Sequence, residues 1–339
     1  MSVLVRQAFP ALRHSIPRAY APSTSYITRR HGHKSHIQSG VLDLAFDTYQ
    51  PPKPDPGGPL LILHGLFGSK QNWRTLMKLL GNSLGRRVYT LDMRNHGTSP
   101  HNPQMDYATM AADVVQFMLE HGCKKDVTVM GHSMGGKVAM ATALSPLLEQ
   151  HLPGALARLV VVDMSPAIGK LSDEFQAYIE AMQAVEDAKV PSKKEADPIL
   201  AKWEKDLPIR QFLLTNLIPH KKGSTFRIPL SILRAAAVHD IGDFPYAPDG
   251  THTWGGRTLF VKGDRSKYIN RHNIPLITTY FPRAVLESLD TGHWVHSEKP
   301  QEFVELVTKF IRADDKPREA HTAEGVEDHP AEHAAETTI

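Results

Sequence analysis

Val127-Thr128-Val129-Met130-Gly131-His132-Ser133-Met134-Gly135-Gly136, continued by Lys137 to Leu144, joins a short apolar, β-branched run to a stretch of small and apolar residues through a serine flanked by glycines. Val127 to Met130 reads as a buried strand and Gly135 to Leu144 as a helix, so Ser133 falls on the turn between them. A strand that passes directly into a helix through such a turn brings the two elements close together. The residues two before and two after the serine must then be small, and Gly131 and Gly135 are. The bare pattern Gly-x-Ser-x-Gly is weak evidence and could be a packing turn. Its strand-turn-helix setting instead predicts an elbow that lifts the Ser133 hydroxyl above the end of a sheet.

Working outward, the same alternation recurs. Leu60 to Leu63 and Val88 to Leu91 are continuous apolar runs expected of buried parallel strands, and Leu159 to Val162 is another, ending at Asp163. Leu42 to Tyr49 alternates apolar and polar residues and suits an antiparallel edge strand. Trp73 to Leu84 and Tyr107 to Leu119 carry apolar residues at helical spacing and supply crossover helices. The fold class is therefore α/β, a mostly parallel sheet flanked by helices. About 167–255 breaks the rhythm. Leu171 to Val185 and Pro198 to Leu217 read as helices rich in Lys and Glu, which predicts an inserted helical cap. Thr258 to Lys262 and Val285 to Leu289 resume the strands, and helices over Asn273 to Tyr280 and Pro300 to Ile311 complete the pattern.

The chain has 339 residues, 41% of them hydrophobic, enough for one large domain with an insertion. Its net charge of +3 conceals segregation. Residues 1–42 contain no acid but six basic side chains, Arg6, Arg13, Arg18, Arg29, Arg30 and Lys34, among Ser, Thr and Ala. Such a composition predicts a disordered mitochondrial transit peptide over 1–40 and a matrix location, and the arginines interrupt any secretory core. The folded domain is expected over 41–312. Residues 313–339 hold eight acids against Lys316 and Arg318, which predicts a solvated, disordered acidic tail. Basic residues elsewhere are scattered, so nucleic-acid binding is not implied. No apolar run approaches the roughly 18 residues of a membrane span. Cys123 is the only cysteine, which excludes an internal disulfide and a thiolate zinc site. Gly65 to Lys70 lacks the spacing of a phosphate loop, and the His31 and His33 pair falls in the leader, so neither a nucleotide cofactor nor a metal is predicted.

A serine hydroxyl is a poor nucleophile at neutral pH. It needs a histidine to take its proton and a carboxylate to hold that histidine in one tautomer, in the chain order Ser, acid, His. Of 19 histidines, His293 stands in Asp290-Thr291-Gly292-His293-Trp294, just after the last strand and before the last helix. His64, His96 and His132 read as structural turn residues. Two acids fit the order: Asp163 at one strand end and Asp264 at the next, in Gly263-Asp264-Arg265-Ser266. The commoner arrangement uses the later position, favouring Asp264, and spacing alone does not decide. The oxyanion of an acyl intermediate needs two backbone donors. Met134, directly after the serine, offers one, and the loop His64-Gly65-Leu66-Phe67-Gly68 offers the other through Leu66 or its neighbour Phe67.

Four blocks together, His64 to Trp73, Asp92 to Ser99, Gly131 to Gly136 and Val162 to Pro166, resemble the α/β-hydrolases. The likeness covers about 41–311. It is narrowest to the branch that contains mitochondrial α/β-hydrolase domain protein eleven, small bacterial acyl esterases and yeast ethanol acetyltransferase. The resemblance implies a serine esterase or thioesterase acting on small acyl esters, with Ser133, Asp163 and His293 as its triad and Asp264 as the alternative acid. In that branch the position of Asp264 usually carries a non-acidic residue. Ser133 argues against the dehalogenases and epoxide hydrolases of this fold, which use an aspartate nucleophile. An alcohol in place of water would make the same site an acyltransferase. A hydrolase scaffold retained only for non-catalytic binding is the remaining alternative.

Overall fold

The structure, a computed structural model, describes residues 36–313. The leader predicted over 1–40 lies outside the described residues as far as 35, and the acidic tail lies outside them from 314. In chain order the core begins with β1 (Phe46–Tyr49), β2 (Leu60–Leu63), a 3-10 turn (Lys70–Trp73), α1 (Arg74–Leu84), β3 (Val88–Leu91), α2 (Tyr107–Glu120), β4 (Val127–His132), α3 (Met134–Leu144), α4 (Pro146–His151) and β5 (Leu156–Val162). The insertion follows as α5 (Asp173–Asp187), α6 (Lys193–Leu200), α7 (Leu207–Leu214), β6 (Leu217–Ile218), β7 (Thr225–Phe226) and α8 (Leu230–His239). The core then closes with β8 (Arg257–Gly263), α9 (Ile274–Tyr280), β9 (Ala284–Leu289), α10 (Val295–Glu298) and α11 (Pro300–Arg312).

Seven strands form one sheet in the order β1-β3-β2-β4-β5-β8-β9. Only β1 is antiparallel, paired at the edge with β3, as the alternating pattern of its sequence predicts. Successive side chains of a strand point to opposite faces, and each face has its own apolar layer. Leu60, Ile62, Met130, Val160 and Val261 pack with α1 and α11 through Leu80, Phe303 and Val307. Leu61, Leu63, Val129, Val161 and Phe260 face the opposite layer, which includes Val114 of α2 and Val138 of α3. Burial on both faces explains why these strands read as unbroken apolar runs. Among the described residues no helix is long and apolar enough to cross a membrane.

The helical insertion predicted at about 167–255 occupies the interval between β5 and β8, but its elements differ from the reading of the sequence. The single helix expected from Pro198 to Leu217 is two helices, α6 and α7. The first starts upstream, where Ser192 accepts from the Glu195 amide as its cap. The chain then turns, and Arg210 donates to the carbonyls of Glu204 and Lys205 and ties the turn down. Pro208 sits in the first turn of α7, where an amide hydrogen is not needed. Leu217 belongs to a hairpin with Phe226. Helix α8 has no counterpart in the reading of the sequence; it buries Leu230, Leu233, Ala236 and Ala237.

Candidate active site

Each catalytic candidate sits at the C-terminal end of a parallel strand, where the loops of an α/β sheet gather. Ser133 follows β4 with φ 55° and ψ −120°, a strained conformation for a residue with a side chain. The close approach inferred from the glycines is real. A Cβ on Gly131 would lie 1.9 Å from the Gly135 carbonyl oxygen, and one on Gly135 would lie 2.4 Å from that of Leu63. Asp163 follows β5, also at positive φ (48°), and is fully buried. Its Oδ1 accepts from the Gly263 amide at 3.0 Å. Its Oδ2 accepts from His293 Nδ1 at 2.7 Å and from the Ser266 hydroxyl.

The histidine loop between β9 and α10 is therefore brought to Asp163 and not to Asp264. The Asp264 side chain is 49% exposed and its carboxylate lies 3.8 Å from Lys262 Nζ. Its backbone amide is bonded to the Leu289 carbonyl, which fixes the direction of the turn. The segment at the later strand end thus contributes Gly263 and Ser266, two donors to the Asp163 carboxylate. Ser266 was missed in the sequence because its partner lies 103 positions away. With Nδ1–H donated to Asp163, His293 presents Nε2 as a base. That atom is buried and has no hydrogen-bond partner among the described residues. Tyr268 stacks on the ring at 4.2 Å.

The loop after β2 is buried and held by hydrogen bonds from its neighbours. Phe67 takes a positive φ of 62°, and its N–H is already donated to His96 Nε2 at 3.2 Å. Of the pair Leu66 and Phe67, the Phe67 amide is thus already engaged. Cap residue Asn216 donates to the Phe67 carbonyl at 2.7 Å, and Lys70 binds Asp92 through both its amide and its ammonium. Burial would push the Asp92 carboxyl up, but His64 and Lys70 outweigh it and hold the group below its ordinary range. Met134 is the first residue of α3, whose leading amides have no carbonyl four residues back to bond.

The other histidines of the cleft are buried and their basicity is lowered; of the three read as turn residues, His132 is instead the last residue of β4, and His296, on α10, is not among those the sequence singles out. Burial pulls His96 down to about 3, helped by His64. Burial likewise takes His296 to about 3, with His293 adding to it, and lowers His132 well below 6.5. His64 is lowered by burial in spite of Asp92. His64 accepts from the Met93 amide and His96 from that of Phe67, so both hold loops. Ser133 and His293 share a cavity of about 40 Å³ whose far walls are Phe175, Tyr178, Ile209, Phe212 and Leu213 of the insertion. Among the described residues, one group with metal-binding potential, His36, Asp43 and Glu120, lies apart from the residues lining this cavity.

The sequence of residues 58–188 matches the family model of the α/β hydrolase fold. The sn-1-specific diacylglycerol lipase ABHD11 of Xenopus laevis is 38% identical over 295 residues, covering 86% of this chain and 90% of that protein. A probable alcohol acetyltransferase of Saccharomyces cerevisiae is 36% identical over 295 residues, covering 80% and 83%. Among solved structures, a marine microorganism esterase superposes with a TM-score of 0.69 at 30% identity, covering 79% of this chain and 99% of the esterase.

Proposed function

The chain belongs to the α/β-hydrolase family and is an esterase, and from that premise we propose that it cleaves carboxylic esters or thioesters by acyl transfer through Ser133, His293 and Asp163. One observation carries the proposal. The buried, unpartnered Nε2 of His293 shares a cavity with Ser133, while Nδ1 of the same ring is fixed by Asp163 at 2.7 Å. In the first half-reaction Ser133 Oγ attacks the carbonyl carbon and its proton passes to His293 Nε2. The oxyanion receives hydrogen bonds from the amides of Leu66 and Met134. Asp163 stabilises the imidazolium, and His293 returns the proton to the leaving alcohol or thiol. Water then attacks the acyl-serine with His293 as base, and the carboxylic acid leaves. The non-catalytic alternative falls with the esterase assignment.

The cavity bears on the substrate. A volume of 40 Å³ holds roughly three waters at about 10–15 Å³ each, so a short acyl group fits as the cap stands. A longer chain requires α5 and α7 to move Phe175 and Phe212. A second reading, transfer of the acyl group to an alcohol, is favoured by the likeness to the yeast alcohol acetyltransferase and by an aromatic and aliphatic cap wall that offers water few partners. The test is hydrolysis of p-nitrophenyl esters of graded chain length, with and without ethanol, by wild type and Ser133→Ala. We expect short acyl esters to be preferred and Ser133→Ala to be inert. Ethyl ester among the products selects the transferase reading. Equal rates in the two proteins overturn both. The acid-free leader carries a further proposal, import into mitochondria, which a leader-deleted fluorescent fusion tests by its location.

A further inference from the structure

His132 immediately precedes the proposed nucleophile, and the chemistry above does not use it. It is the last residue of β4, paired with Val162, and is 5% exposed. Its Nε2 lies 2.9 Å from the carbonyl oxygen of His293, 161 residues away. A carbonyl only accepts, so Nε2 carries the proton and donates. The ring also packs on that of His293 at 4.7 Å and meets the edge of His296 at 4.6 Å, with His296 stacked on Trp73 at 4.1 Å. On its other side Nδ1 faces the oxyanion loop, where a Cβ on Gly65 would lie 3.1 Å away.

The loop carrying His293 is anchored on its flanks. Gly292 donates to the Glu298 carboxylate at 2.9 and 3.0 Å, and the Thr291 carbonyl accepts from Arg265. Neither anchor grips His293 itself, and among the described residues His132 is the donor that reaches its carbonyl. Asp163 and Tyr268 hold the ring, but a ring held at Nδ1 can still swing Nε2 if its backbone shifts. We infer that His132 is a positioning residue, whose Nε2–H fixes the backbone of His293 so that the base stays aligned with Ser133. The inference rests on the assignment of Ser133 and His293 proposed above. Neutrality suits the role, since a second imidazolium beside His293 would oppose its taking up the serine proton. Burial and the neighbouring His296 and His293 keep His132 uncharged.

The test compares His132→Leu, which fills the space without a donor, with His132→Gln, whose amide nitrogen reaches about as far as Nε2. Both are measured for kcat and KM on p-nitrophenyl acetate and for labelling rate by a fluorophosphonate, with Ser133→Ala alongside. A misplacement of about 1 Å costs on the order of 100-fold in rate. His132→Leu should therefore lose about 30- to 100-fold in kcat and in labelling, with KM changed less than about threefold. His132→Gln should recover to within about fivefold of wild type. If His132→Leu does not fold, His132→Asn, whose amide falls short of the carbonyl, replaces it in the comparison. An unchanged kcat in the donor-less variant, a loss confined to KM, or a glutamine variant as slow as it, overturns the inference. If Ser133→Ala retains activity, the nucleophile assignment has failed instead.

Discussion

Replacing Asp163 by Asn changes one atom and reverses the chemistry of the site. The carboxylate now accepts three hydrogen bonds, from Gly263 N–H at 3.0 Å, His293 Nδ1–H at 2.7 Å and the Ser266 hydroxyl. An amide has one oxygen and one NH₂. If the oxygen keeps the Gly263 amide, the NH₂ faces His293, which must then accept at Nδ1 and hold its proton on Nε2. A protonated Nε2 cannot receive the serine proton. The same exchange in a serine protease triad lowers kcat by about 10⁴, close to 5 kcal/mol at 1.36 kcal/mol per decade. We expect a loss of that order for Asp163→Asn with p-nitrophenyl acetate, and a parallel loss of fluorophosphonate labelling. Asp264→Asn removes only a half-exposed carboxylate 3.8 Å from Lys262, an exposed pair worth about 0–1 kcal/mol, so kcat should change less than about fivefold. Unfolding curves of both variants show whether a loss comes from collapse of the fold. Asp163→Asn within tenfold of wild type, or Asp264→Asn as slow as Asp163→Asn, refutes the assignment.

Ser266→Ala removes one donor to the buried carboxylate, a charge-assisted hydrogen bond worth about 1.5–3 kcal/mol, and kcat/KM should fall about 10- to 100-fold in steady-state assays. Arg94 and Asp113 form a fully buried bidentate pair, with nitrogen–oxygen distances of 2.7 and 2.8 Å, so Arg94→Leu strands a carboxylate and should cost about 3–5 kcal/mol in urea unfolding. Lys137 is buried on α3, where it donates to the carbonyls of Gly242 and Asp243, and burial pulls its ammonium from 10.5 to about 8. Between those values the unfolded chain binds the proton and the folded chain does not, so its contribution to stability rises with pH from about 8 to 10.5, by about 3 kcal/mol in all. The difference in unfolding free energy between wild type and Lys137→Met should grow in favour of wild type across that window, and a flat difference would contradict the shift.

What was legible in the sequence is what depends on neighbours in the chain. Gly131, Ser133 and Gly135 define their turn within five residues, and the apolar runs of β2, β3, β4 and β5 declare burial on both faces. The choice between Asp163 and Asp264 was not legible in that way, because it depends on how strands far apart in sequence align in space. The resemblance of whole motif blocks pointed to Asp163, where spacing did not decide and the commoner strand position favoured Asp264. The cap was misread in detail for a related reason. Pro208 is a local signal of a break between Pro198 and Leu217, but the turn that separates the two helices is held by Arg210 reaching back to the Glu204 and Lys205 carbonyls. Ser266 and His132 carried no signal in the chain beyond their proximity to motifs.

The register of the sheet accounts for the pairing of His293 with Asp163. Val162 of β5 is paired with Val261 of β8, so Asp163 emerges level with Lys262, and the Asp163 amide is bonded to the Val261 carbonyl. Gly263 is the next residue along β8, and its N–H is therefore in place to donate to the Asp163 carboxylate. Asp264 lies a further step on, past the point where β8 ends level with Leu289 of β9, and its amide is turned to the Leu289 carbonyl. On the other side Ser133 emerges next to Val162, to whose carbonyl its amide is bonded. Ser133 and Asp163 thus leave adjacent strands side by side, and the loop after β9 has to cross β8 to reach them. It can cross there because Gly263 presents no side chain: a Cβ at that position would lie 2.1 Å from the Gly292 carbonyl oxygen. Joining the His293 loop to Asp163 on β5 therefore requires β8 to end in glycine and to supply donors to that carboxylate, and Gly263 and Ser266 meet both conditions.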